Sequence, residues 1–166
     1  MEFKLPKMDK REIQNVIENQ LLCRIAFHGV EYPYIAPFQY TFMDNSLYFH
    51  FTAYGRKMRL LERNNRVCVE IEKYEPDLSE YRFVVMMGTL RVVKDSEETR
   101  RAIEKMAREG ERKLSTNFLA AHGFYEDESW SSFTHERPMV IVKLEDVVQV
   151  IGLRSPHSRK VAKNSR

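Results

Sequence analysis

Residues 46–65, SLYFHFTAYGRKMRLLERNN, decide how the rest of the chain is read. Leu47, Phe49 and Phe51 alternate with Tyr48, His50 and Thr52, which is the two-residue period of a half-buried β-strand. At Gly55 the period changes. Arg56, Lys57 and Arg59 interleave with Met58, Leu60 and Leu61, whose spacing suits one face of a short helix. The stretch therefore reads as strand, glycine turn and helix, with two adjacent cations in the first helical turn. Free backbone N–H groups and the positive dipole end attract an anion at such a place. A guanidinium fork and an ammonium add charge-assisted partners suited to a phosphate. A Gly-Arg-Lys triplet opening a helix is more usually a solvated, charged helix end. Neither a Walker loop nor a GxGxxG fingerprint is present to name a ligand. The row Tyr48, His50, Thr52, which leads toward the same turn, adds weight to the binding reading.

Upstream, Asp9 and Glu12 form a capping-box pattern ahead of Ile13, Val16 and Ile17, so a helix is expected over 9–19. A strand follows over 21–28, a turn over 29–31 and a second strand over 32–42. Pro33 and Pro37 remove ladder donors and place part of that strand at an edge or a bulge. Residues 43–45 turn the chain back into the Leu47 strand, completing a β-meander. Downstream, 66–73 alternates with Val67, Val69 and Ile71 inward, and 75–77 is a polar break. The run 81–94 is expected to be the longest strand, bent at Gly88. A helix over 96–109, capped by Asp95 or Ser96, carries Ile103, Met106 and Ala107 on one face. Residues 110–137 have weak periodicity but hold Phe124, Tyr125, Trp130 and Phe133; 139–151 is a strand pair or one long bulged strand.

About six strands with a single long helix favour an antiparallel barrel over a parallel sheet, which needs a helical crossover between most strands. The expected class is mainly β (α+β): an antiparallel split β-barrel with short flanking helices over 1–153. A basic, apolar-poor tail over 154–166 is expected to be disordered.

At 166 residues the chain fits one domain with a real core, and 43% hydrophobic with 31% charged residues is ordinary for a globular protein. No apolar run approaches the roughly 20 residues of a membrane helix. The opening MEFKLPKMDKRE is too polar for a signal peptide, so the cytoplasm is expected and no membrane partner is. A net charge of +3 gives no basis for specific nucleic-acid binding by the domain. Cys23 and Cys68 lack CxxC spacing and read as buried reduced thiols. His122 and His135 share no metal-ligand spacing with each other or with the cysteines, so no metal is expected. No Ser-His-Asp or Cys-His arrangement can be argued.

The run PYIAPFQYTFMDNSLYFHFTAYGRKMRLLERNNRVCVEIE resembles the split-barrel flavin-binding proteins related to pyridoxamine 5′-phosphate oxidase, and within them the nitroimidazole-resistance branch. Pro37, Leu47-Tyr48-Phe49-His50, Gly55-Arg56-Lys57, Leu61, Asn64 and Val67 carry the likeness. The resemblance covers about 21–105 well and the last strand loosely; 110–137 has no counterpart. It implies a homodimer of split barrels with FMN at the interface. The FMN phosphate would lie against Arg56 and Lys57. The flavin ring would lie along Pro37, Phe38, Gln39 and Tyr40, and near His50, Phe51 and Thr52. Trp130 with Phe133 is then either a lid on the flavin or an aromatic pair packing a loop onto the barrel. The arginines and histidine of a true pyridoxamine phosphate oxidase near the C-terminus are not matched, so that specific activity is not expected.

The resemblance implies a flavin-dependent oxidoreductase. It would pass electrons from NAD(P)H or another donor to a small acceptor, quinone-like or nitroaromatic by analogy. Two alternatives stand beside it: a flavin-binding or redox-sensing protein without turnover, and a haem-binding protein on the same fold. The first keeps the cofactor as FMN, against a deazaflavin or haem.

Overall fold

The computed structural model describes residues 4–156 except 126, 135 and 138, and not the side chains of 121 and 122. The expectations for His122 and His135, and for the tail from 157 onward, lie outside the described residues. The elements in order are α1 (Lys10–Asn19), β1 (Leu22–Phe27), β2 (Tyr34–Met43), β3 (Ser46–Thr52), α2 (Arg56–Arg63), β4 (Arg66–Tyr74), β5 (Tyr81–Val92), α3 (Ser96–Lys113) and β6 (Met139–Arg154). Two 3₁₀ segments, Thr116–His122 and Trp130–Ser132, lie between α3 and β6.

The six strands close into an antiparallel barrel in the order β1-β2-β3-β6-β5-β4. Alternation explains its filling. Leu47, Phe49 and Phe51 of β3, with Val67, Val69 and Ile71 of β4, point inward and are almost wholly buried. Val16 and Ile17 of α1 and Leu60 and Leu61 of α2 join the same core. The α1 cap is the expected box: Asp9 accepts from the Glu12 N–H at 2.8 Å and Glu12 accepts from the Asp9 N–H at 2.9 Å. Asp44 and Asn45, both at positive φ (50° and 58°), make the two-residue turn whose twist suits a tight β2–β3 hairpin.

The barrel is split at β2. Its residues Tyr34 to Gln39 pair with β1, and Tyr40 to Met43 pair with β3. The strand changes partner at the Gln39–Tyr40 step, leaving the Tyr34–Gln39 stretch with one ladder neighbour. Pro37 sits on that edge, as a residue without an N–H must.

Two expectations are corrected, the longest strand and the end of α3, and for the last strand the long bulged alternative holds. The longest strand is β6, at 16 residues against 12 for β5, because β6 pairs first with β3 and then with β5. It is one strand, reaching Arg154, with Asp146 at positive φ where the β5–β6 register slips opposite Gly88. Helix α3 does not stop at Glu109 but runs through Gly110 to Lys113. A Cβ at Gly110 would lie 2.3 Å from Trp130 Cζ3, so glycine is used there for close packing rather than to end the helix. That contact belongs to a second core outside the barrel. There Ala102, Ile103 and Met106 of α3, with Leu119, Trp130 and Phe133, cover Tyr48 and Ile141.

Candidate cofactor site at the β3–α2 turn

The end of β3 delivers the chain to a turn that has no side-chain cap. Thr52 Oγ1 donates to the Tyr54 carbonyl at 2.9 Å, and Gly55 takes φ 96°, where an L side chain is strained. Among the described residues no side chain caps α2, while the Gly55 carbonyl accepts the Arg59 N–H at 3.3 Å. Buried Leu60 and Leu61 anchor the helix on the barrel, which fixes the direction of its first turn. The first amides of α2 form the anion-favouring end of the helix, and Arg56 and Lys57 are its first two residues.

The two cations lie over β2. The Arg56 guanidinium carbon is 4.4 Å from the Tyr34 ring centre, and Lys57 Nζ is 4.8 Å from that of Phe38. Phe38 in turn stacks on Phe51 at 4.9 Å and 20°. Partial burial favours the neutral amine and lowers the Lys57 pKa below the ordinary lysine value. A phosphate oxygen beside the amine would act in the opposite direction and raise that pKa.

The structure therefore brings Arg56, Lys57, Phe38 and Phe51 into one corner beside the single-sided stretch of β2. Thr52 and Pro37 are exposed next to it. Gln39, Tyr40 and His50 are placed elsewhere. Gln39 is 1% exposed and donates to the Met106 carbonyl of α3 at 3.2 Å. Tyr40 is turned into the barrel, its hydroxyl donating to the Ile17 carbonyl of α1 at 2.7 Å. His50 packs edge-on against Phe133, ring centres 5.4 Å apart, on the face that α3 and the 3₁₀ segments cover. Trp130 and Phe133 are core residues of that outer layer. Tyr34 was missed by the sequence reading. Its position, four residues before Phe38 on the same strand face, is the signal that finds it.

Residues 9–129 match the family model of pyridoxamine 5′-phosphate oxidase, a span that runs from the α1 cap to just before Trp130. The chain belongs to the pyridoxamine 5′-phosphate oxidase family. Solved structures share the fold of this family member. A FAD-binding protein from Mesorhizobium loti is 21% identical over 93% of this chain and 100% of its own, with a TM-score of 0.62. A candidate 5-nitroimidazole antibiotic resistance protein from Bacteroides thetaiotaomicron is 24% identical over 91% and 90%, at 0.61. A conserved protein of Mycobacterium tuberculosis is 17% identical over 88% and 84%, at 0.67. No curated protein matches the chain. Among the described residues, no helix of this family member is long and apolar enough to cross a membrane.

Proposed function

We propose that the chain is a flavin-dependent oxidoreductase that works as a homodimer. In this reading it holds FMN by its phosphate at Arg56 and Lys57 and reduces a small quinone-like or nitroaromatic acceptor at the expense of NAD(P)H. One observation carries the reading: two adjacent cations stand at an uncapped helix start, each over an aromatic ring of a strand edge with no second ladder partner. A nucleotide with a phosphate at one end and a planar ring at the other fits that donor set. The matched family and neighbours described as FAD-binding proteins support it.

When bound, the flavin would supply the electron chemistry. The chain's own residues do the rest. Arg56 and Lys57, with the first amides of α2, neutralise the phosphate. The exposed edge of β2 around Pro37 and the exposed Thr52 border the ring side. Phe38, stacked on Phe51 beneath Lys57, keeps that side of the corner apolar, so water screens the ammonium less.

The dimer rests on a separate observation. Val148 is 82% exposed and Val147 and Val150 about half so, beside an apolar groove of about 510 Å³ that includes Phe27, Cys68 and Met87. An apolar surface of this kind calls for a covering partner.

The first experiment is the visible spectrum of purified protein, alone and with added FMN. Flavin bands, or FMN uptake by a colourless preparation, agree with the reading. A colourless protein that takes up no FMN contradicts it, and a Soret band would transfer the site to haem.

A further inference from the structure

Helix α2 continues past the phosphate corner into a groove of about 580 Å³, formed with the loop that precedes β2. Arg56, Arg59 and Arg63 recur at i, i+3 and i+7, so they form one stripe along this groove. All three are exposed, and none has an ion-pair partner among the described residues. On the loop side stands Tyr32, 75% exposed, which lines this groove and also borders the apolar one beside Val148. Two carboxylates, Glu31 and Glu62, also line it.

That mixture discriminates between ligands. A uniform polyanion would meet two carboxylates as well as three guanidiniums. A ligand with phosphates, ribose hydroxyls and a planar base uses each group in turn. Guanidiniums fork onto phosphate oxygens, a carboxylate accepts from ribose hydroxyls, and an exposed tyrosine ring offers a face for a base. Arg56 lines both the corner and the groove, so a second phosphate next to the first would fall toward Arg59. We infer that this groove binds the adenosine diphosphate half of a dinucleotide. The inference rests on the Arg56–Lys57 reading above and extends it. The same chemistry has two sources: FAD itself, or a nicotinamide dinucleotide bound beside FMN.

Calorimetric titration of the full chain with FMN, with FAD, and with ADP after saturation by FMN tests it. The variants are Arg59→Gln/Arg63→Gln and, separately, Tyr32→Ser, each first checked for an unchanged melting temperature. FAD binding at least about tenfold tighter than FMN, a margin lost in both variants while FMN affinity moves less than about twofold, supports the inference with FAD as the source. ADP binding to the FMN-loaded protein, lost in the same variants, supports it with a nicotinamide dinucleotide as the source. The inference is overturned if FAD binds no tighter than FMN and ADP does not bind. It is overturned too if the variants weaken FMN and FAD alike. In both cases the FMN reading survives. If FMN itself fails to bind, both fall together.

Discussion

Lys57 holds its ammonium 4.8 Å from the centre of the Phe38 ring. A lysine in that position is partly desolvated, and the ring face is a weaker partner for it than a phosphate oxygen. Its pKa is lowered because partial burial takes the ammonium out of water.

This gives the first prediction. Between the lowered folded value and the ordinary lysine value, the unfolded chain binds more protons at Lys57 than the folded one. Its contribution to stability therefore grows as pH rises through that window. A bound phosphate favours the charged amine, so FMN binding draws a proton onto Lys57 and weakens as pH enters the window. Titrations from about pH 7 to about pH 10 should show this decline for FMN. Riboflavin, which lacks the phosphate, should not share it, and Lys57→Met should flatten the FMN profile. A decline equal for FMN and riboflavin would count against Lys57 as a phosphate ligand.

A second prediction concerns the clamp of α3 on the barrel. The Tyr48 hydroxyl donates to Glu98 Oε1 at 2.6 Å, and Lys143 Nζ lies 3.0 Å from the same oxygen. The Tyr48 hydrogen bond, then the Lys143 ammonium, hold the Glu98 carboxyl below the usual carboxylate range. A depressed carboxylate contributes stability above its unfolded pKa and loses it as pH falls through the folded one. Tyr48→Phe should cost about 1.5–3 kcal/mol at neutral pH, in the range for hydrogen bonds to charged groups. It should also make the acid side of the stability profile shallower. Chemical denaturation at several pH values measures both, and an unchanged acid limb would show that the clamp does not form.

Gly110 supplies the third. A methyl group there must displace Trp130, and overpacking of this kind costs about 1–3 kcal/mol, partly offset by about 1 kcal/mol of helix propensity. Gly110→Ala should lower the melting temperature by several degrees, and the loss should shrink in a Trp130→Leu background. Equal losses in both backgrounds would dissociate Gly110 from Trp130.

Much of this fold was readable because its signals are local. The Asp9–Glu12 box, the Asp44–Asn45 turn, the alternation of β3 and β4 and the glycine before α2 each lie within a few residues of what they determine. What escaped depends on distant contacts. Gly110 continues a helix because of Trp130, twenty residues on, and β6 is long because β3 pairs with its first residues, 139–143, while β5 pairs with it from 142 to 154. At the candidate site, the triplet marks the two cations of the helix start, but the rings beneath them could not be assigned from residues 37–40 taken as one run. Alternation sends Phe38 and Tyr40 inward and Gln39 toward α3, and only barrel closure brings Phe38 against Phe51.

The fourth prediction is the dimer. Light scattering at micromolar concentration should give twice the chain mass, and Val148→Glu, which puts a charge on the most exposed of the three valines, should shift it toward the monomer. A monomeric parent protein would refute the assembly.

The most direct test is the FMN affinity of Arg56→Gln/Lys57→Gln, measured by fluorescence quenching beside the parent protein. Two charge-assisted contacts to a phosphate are worth about 3–6 kcal/mol together, so the account predicts a loss of about a hundredfold or more in a protein that remains folded. Riboflavin affinity should change far less. An FMN affinity equal to that of the parent would contradict the account.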